Sequence, residues 1–174
     1  MPSHHRAAGG GVTTGRIASA WVCCSTVAMN KPPADAIAIV LLREGRILLV
    51  QRSQSVPRPG FWSVPTGKLE RGESQPAAVQ REAEEELGLS VRPIAQVWQC
   101  LTDDGRYRLH WWLAEAKAAA ANLCPAPEEV ADWRWIRPFE FEHLSPRFEQ
   151  HRAFFKERLP SLLSVAPPLA DESD

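Results

Sequence analysis

Residues 67–89 read GKLERGESQPAAVQREAEEELGL, and how this stretch folds decides how the rest of the chain is read. Ser74 is a suitable helix N-cap, because its hydroxyl can accept from a backbone N–H of the first turn. Pro76 is tolerated in that turn, where its missing N–H would have no helical partner anyway. Val79, Ala83 and Leu87 recur every four residues and give one apolar stripe. Gly88 suits the position just past the helix end, where glycine adopts a left-handed conformation at least cost. The spacing predicts a helix over 74–88.

Glu82, Glu85 and Glu86 stand at i, i+3 and i+4, so on a helix they share one side beside the apolar stripe. Glu84 adds a fourth negative charge. Like charges at these spacings each cost roughly 0.2–0.5 kcal/mol. The end of the helix dipole disfavours anions by a further ~0.3–1 kcal/mol. Arg81 is the single cation in that turn. Taken alone, the run reads most simply as a solvated acidic face. The alternative is a functional one. A local rule broken without visible compensation marks a functional site, and a divalent cation such as magnesium or manganese would compensate, since hard ions take oxygen ligands.

Outward from this helix, the apolar runs Ala36 to Leu42 and Arg46 to Gln51 flank Glu44-Gly45 and predict a hairpin buried on both faces. Pro57, Pro59 and Gly60 mark a loop. Phe61 to Val64 is expected as a brief strand that Pro65-Thr66-Gly67 ends. Downstream, Ile94 to Leu101 and Tyr107 to Ala114 form a second expected hairpin around Asp103-Asp104-Gly105. Ala116 to Ala121 reads as a loop or helical turn, and Glu129 to Ile136 as a late strand with Trp133 and Trp135 on one face. Pro138 to Leu144 reads as a connection or short helix. Arg147 to Leu159 reads as a second helix with Phe148, Phe155 and Leu159 on one side. Short strands mixed with two main helices make this an α/β chain, a mixed sheet flanked by helices.

The formal net charge of −1 argues against a whole-chain grip on a nucleic acid polymer or an anionic membrane. The four cysteines, Cys23, Cys24, Cys100 and Cys124, show no C-x-x-C pairing and no disulfide framework. A reducing cytoplasm is therefore the expected compartment. Residues 1–34 contain no Asp or Glu and hold no sustained period. They read as a disordered tail, as a targeting peptide with Arg6 and Arg16 before the apolar stretch Ile17 to Ala28, or as residues upstream of a true start at Met29. The last reading is favoured, because globular patterning begins a few residues after Met29. Residues 35–160 are expected to form the domain and residues 161–174 a flexible tail.

The segment resembles the Nudix box, G-x5-E-x7-R-E-U-x-E-E-x-G-U with U apolar, at every fixed position. Gly67, Glu73, Arg81, Glu82, Ala83, Glu85, Glu86, Gly88 and Leu89 fill it. The preceding strands, Trp62 and Pro65, and the acidic-then-Trp segment from Glu128 to Trp135 fit the same family, and the resemblance spans about residues 35–160. It implies an α/β/α sandwich and a hydrolase that cleaves a diphosphate linkage in a nucleoside diphosphate linked to another moiety. Magnesium or manganese is the implied cofactor. The resemblance implies Glu82, Glu85, Glu86 and the Gly67 carbonyl as metal ligands, and Glu82 or Glu85 as general base, although some relatives place the base outside the box. It implies that Glu73 and Arg81 pair structurally and that Glu84 faces solvent.

Arg52 and Lys68 are candidates for phosphate contact. Trp62, Tyr107, Trp111, Trp112, Trp133 and Trp135 offer ring faces; one or two are candidates to stack on a base, Trp62 among them, and the rest are expected in the core. His110 reads as packed or surface. Thr66-Gly67 after Phe61-Trp62 resembles members acting on dihydroneopterin triphosphate, and a nucleotide sugar is a further alternative. A non-catalytic binding module would be expected to break the glutamate set, which is intact here. Dimers are common in the family, so a homodimer is a candidate assembly.

Overall fold

The computed structural model describes residues 32–117 and 123–165. Most of the N-terminal extension, and residues 118–121 of the alanine-rich stretch, lie outside them. The chain runs β1 (Ala34–Arg43), β2 (Arg46–Arg52), β3 (Trp62–Ser63), β4 (Thr66–Lys68), α1 (Gln75–Leu87), β5 (Val91–Leu101), β6 (Tyr107–Ala116) and β7 (Val130–Ile136). A 3-10 turn (Pro138–His143) leads to a C-terminal helix made of α2 (His151–Ala153), a π turn (Phe154–Arg158) and α3 (Leu159–Val165).

β1 is the hub. One edge pairs in parallel with β6, from Ala34↔Tyr107 to Leu41↔Ala114. The other edge pairs antiparallel with β4 at Ala36–Ala38, and with β2 only at Leu42↔Ile47 and Arg43↔Arg46. The expected β1–β2 hairpin is thus two pairs long. Past it β2 parts from β1 and pairs with β7 along its length, and with β3 at Val50 and Gln51. β5 and β6 form the second hairpin, with register shifts after Pro93 and Gln96. Pro93 has no N–H for the ladder, which suits a bulged edge strand.

The pleat of β1 sorts its side chains into two cores. Ile37, Ile39 and Leu41 face α1 and meet Ala78, Val79, Ala83 and Leu87. Ala36, Ala38 and Val40 face Trp111, Phe154, Phe155 and Leu159 on the opposite side. The result is the α/β/α sandwich. Trp111 and Trp112 point to opposite faces as expected for a strand; Trp111 is fully buried, and Trp112 Nε1 donates to Gln75 Oε1 at 2.8 Å.

Three expectations change. Thr66-Gly67 does not end a strand but lies in β4, held between β1 and the box helix. The second helix begins at His151 rather than Arg147, and Phe148 leaves its stripe to pack on Phe61 at 5.0 Å. That helix also continues past Pro160 to Val165, five residues into the segment read as tail. Leu159 N–H bonds to Phe154 O, a π-type bond that re-registers the helix immediately before a residue with no N–H to give. No helix among the described residues is long and apolar enough to cross a membrane.

Candidate active site

α1 is capped as its sequence demands. Ser74 Oγ accepts from Ala77 N at 3.3 Å, and Gly88 adopts φ 63° with its N–H on Ala83 and Glu84 carbonyls. At roughly 100° per residue, Glu82 and Glu86 stand about 40° apart on the helix, while Glu85 lies about 60° to the other side of Glu82. Both Glu82 (9% exposed) and Glu86 (6%) are therefore buried, whereas Glu84 and Glu85 are exposed.

Glu82 and Glu86 line a cleft of about 740 Å³. Glu86 Oε2 is buried and has no hydrogen-bond partner. Burial pushes the Glu86 carboxyl up to about 8; the charges of Glu82 and Glu129 add to the rise and Arg52 opposes it. Burial also raises Glu82, against its bond to Arg81. Gly67 packs directly on Glu82: a Cβ there would lie 1.8 Å from Glu82 Cδ.

Arg81 ties the loop to the helix. Its Nε and Nη2 grip Glu73 Oε1 and Oε2 at 2.9 and 3.0 Å, and Nη2 also reaches Lys68 O at 3.0 Å. Glu73 Oε2 in turn accepts from Glu70 N at 3.1 Å. Arg81 Nη1 bonds Glu82 Oε1 at 2.7 Å and Glu85 Oε2 at 2.9 Å. Glu85 is thus turned toward Arg81 and does not line the cleft. Among the described residues no three acidic, His or Cys side chains converge tightly enough to enclose an ion.

Arg52 lines the cleft beside Glu86 and Glu129. Its Nε donates to Pro57 O at 2.6 Å, and burial lowers its pKa while those two carboxylates act against the shift. Lys68 lines the cleft with Nζ 6.0 Å from the Tyr107 ring. Trp62 does not: it is 4% exposed in the core, with Arg134 over its ring at 4.7 Å, so its stacking role is withdrawn. Of the other rings considered, Tyr107 alone lines the cleft. His110 is packed, with Nε2 2.8 Å from Asp35 Oδ1.

Glu129 is a cleft residue that sequence reasoning did not single out. The β2–β7 register shifts between Gln51 and Arg52, where Arg52 pairs Val130. Such a bulge re-aims neighbouring side chains, and Ser53 N fixes the Glu129 carbonyl at 2.9 Å. In the sequence Glu129 stood only as the first residue of the expected late strand, which in the structure begins one residue later at Val130.

These residues can hold a divalent cation. A buried carboxylate oxygen without a partner, a second carboxylate beside it, and a glycine backbone lying against that second side chain form a hard oxygen donor set. A sandwich of this topology, with a buried carboxylate pair in a polar cleft, defines a site for phosphate chemistry. The NUDIX domain pattern matches residues 31–158, and the chain belongs to the Nudix family, hydrolases of diphosphate linkages. It is 34% identical over 137 residues to an RNA pyrophosphohydrolase of Erythrobacter litoralis, covering 66% of this chain and 83% of that one. It is 33% identical over 121 residues to the NAD-capped RNA hydrolase NudC of Stutzerimonas stutzeri, covering 67% of this chain but 41% of that one. The MutT protein of Methanosarcina mazei Go1 shares the fold, with a TM-score of 0.66 at 23% identity, over 78% of this chain and 98% of that one.

Proposed function

We propose that the chain hydrolyses a diphosphate linkage in a nucleoside triphosphate or a related nucleotide, with Mg2+ or Mn2+. The observation that carries this is the buried, unpartnered Oε2 of Glu86 on the wall of a cleft that also presents Arg52 and Lys68. Glu86 and Glu82, with the Gly67 carbonyl, would hold the ion. Glu85 would join them by releasing Arg81. When bound, the ion supplies charge neutralisation on phosphate oxygens and a more acidic water.

The remaining work falls to the chain itself. Arg52 and Lys68 neutralise and orient the phosphates. Arg81, locked on Glu73, keeps the Gly67 loop against α1. A carboxylate must take the proton from the attacking water. Glu129 makes no side-chain hydrogen bond or ion pair among the described residues, which leaves it open to accept one. Glu82 is the second candidate. Glu85 is the weakest, because it does not line the cleft and is bonded to Arg81.

We place the reaction in the cytoplasm, since Cys100 and Cys124 are free thiols. A homodimer is the assembly implied by the family, which sedimentation of the purified chain tests.

The test is phosphate and pyrophosphate release, with magnesium, across nucleoside triphosphates, dinucleotides, nucleotide sugars, a pterin triphosphate and RNA with a 5′-triphosphate. The RNA is included because one relative is named RNA pyrophosphohydrolase. Magnesium-dependent turnover of a mononucleotide, lost in Glu86→Gln, supports the reading. Turnover confined to RNA, sugars or pterin overturns it.

A further inference from the structure

Glu86, Arg52 and Glu129 reach the cleft from distant parts of the chain: from α1, from the end of β2 and from the turn before β7. That turn closes on Ala126, whose carbonyl accepts from Glu129 N at 3.0 Å and from Val130 N at 2.8 Å. One side of the turn hangs from α1, where Ala126 N donates to Glu86 O at 3.0 Å. The other side hangs from Ser53.

Ser53 directly follows Arg52 and is buried, at 4% exposure. Its N–H donates to Glu129 O at 2.9 Å, and its hydroxyl donates to Glu128 O. Its Oγ also accepts from Ser55 N at 3.1 Å, a local serine turn at the root of the β2–β3 loop. A hydroxyl has one hydrogen to give, so the donor is committed to the Glu128 carbonyl. The β2–β7 ladder does not do this work. After its register shift it pairs Arg52 with Val130 and does not reach Glu128 or Glu129.

Glu129 depends on that support. It is exposed, and its side chain makes no hydrogen bond or ion pair among the described residues, so its aim is set by the backbone that carries it. Its charge acts on Arg52, Glu82 and Glu86, which places it within reach of all three. Arg52 is held independently: its N–H donates to Phe61 O at 3.0 Å, its carbonyl accepts from Gly60 N at 2.8 Å, and its Nε reaches Pro57 O.

We infer that Ser53 is a positioning residue for the hydrolysis: its hydroxyl holds the Glu128–Glu129 turn so that the Glu129 carboxylate faces the attacking water. Ser53 does not line the cleft and touches no substrate; it acts through Glu129. In the step it serves, the water oxygen bonds to phosphorus and the bond from that phosphorus to the bridging oxygen breaks. The water proton passes to Glu129, and the bridging oxygen leaves with the departing phosphate. A proton acceptor displaced by about 1 Å loses on the order of 100-fold in rate. Substrate binding is spared, because Arg52 keeps its own supports. This inference rests on the proposed hydrolysis with Glu129 as its proton acceptor.

The test measures kcat and KM for ATP, GTP, CTP and UTP with magnesium in the full-length protein, for wild type, Ser53→Ala, Glu129→Gln and the double variant. Ser53→Ala removes one oxygen, and the groups it frees, Glu128 O and Ser55 N, belong to exposed residues that water can reach. A cooperative thermal melt like that of wild type is therefore expected. Glu129→Gln should lower kcat by about 100-fold or more. Ser53→Ala should lower kcat by about tenfold or more while KM stays within about twofold. Added to Glu129→Gln, it should change kcat by less than about twofold, because the group it aims is already inert. Wild-type kcat in Ser53→Ala, a loss confined to KM, or the same loss of kcat in both backgrounds overturns the positioning role and leaves the proposed function standing. A Ser53→Ala protein that does not fold overturns it too, since Ser53 would then hold the fold and not the aim of Glu129. Wild-type kcat in Glu129→Gln removes Glu129 as proton acceptor and this inference with it. No turnover of any nucleotide by wild type overturns the proposed function as well.

Discussion

Gly67 and Glu82 are packed so closely that a single added methyl group on Gly67 would fall within 2.1 Å of Glu82 Cγ, Cδ and Oε1. The glycine is required by that carboxylate and not by its own backbone angles. Gly67→Ala should therefore swing the Glu82 side chain out of place while the strand pairing of β4 survives. Misplacing a catalytic group by about 1 Å costs on the order of 100-fold in rate. The expected outcome is a folded protein with kcat/KM reduced by about that factor. Circular dichroism and turnover measured together check it; near wild-type turnover would mean that Glu82 can move without consequence.

Arg81→Lys tests the clamp. Arg81 makes five polar contacts with Glu73, Glu82, Glu85 and Lys68 O, and a lysine cannot reproduce the forked grip on Glu73. The pair is mostly shielded, with side-chain exposure of 24% for Arg81 and 14% for Glu73. Loss of its charged hydrogen bonds should cost about 1–2 kcal/mol. Urea unfolding would show this as a lower midpoint, and turnover should fall with it as the Gly67 loop loosens.

Much of this was legible in the sequence, and the limits have physical causes. α1 could be read almost to the residue, because Ser74, the Val79–Ala83–Leu87 stripe and Gly88 are all local signals. The β1–β2 hairpin was over-read. Nothing in Ala36–Leu42 reveals that its edges are taken by β6, where Ile37 pairs His110, and by β4. Trp62 was read as a stacking ring because aromatic identity says nothing of burial. Spacing put Glu85 on one helix side with Glu82 and Glu86, but it does not reveal the bond between Glu85 and Arg81.

Glu86→Gln separates metal binding from folding. In wild type without metal, burial raises the Glu86 carboxyl from its ordinary 4.5 to about 8. A raised carboxyl contributes stability that is full below about 4.5 and is lost as pH rises through about 8. The neutral amide escapes that loss, so the metal-free variant should outlast wild type at pH 9 in thermal melts. Saturating magnesium should stabilise wild type, by about 2.7 kcal/mol at 100 times its Kd. The variant should gain far less. An equal magnesium shift in both proteins would remove Glu86 from the ligand set.

His151 gives the opposite pH dependence. It is 1% exposed, edge-on to Trp111 at 4.8 Å, and burial pushes its pKa from 6.5 down to about 3. The unfolded chain therefore takes up a proton near pH 6.5 that the folded chain refuses until about pH 3. Stability from this group is full above 6.5 and is lost as pH falls toward 3. At pH 5 the loss is about 2 kcal/mol, from 1.36 kcal/mol per unit over the interval below 6.5. Glu86 pulls the other way over part of that range, so the informative quantity is the difference between wild type and a variant without the imidazole. His151→Phe keeps the ring and abolishes the titration. Its urea midpoint should fall less than that of wild type between pH 7 and pH 5. Parallel losses in the two proteins would mean that His151 accepts its proton in the folded state, and that the Trp111–Phe154 core opens to water.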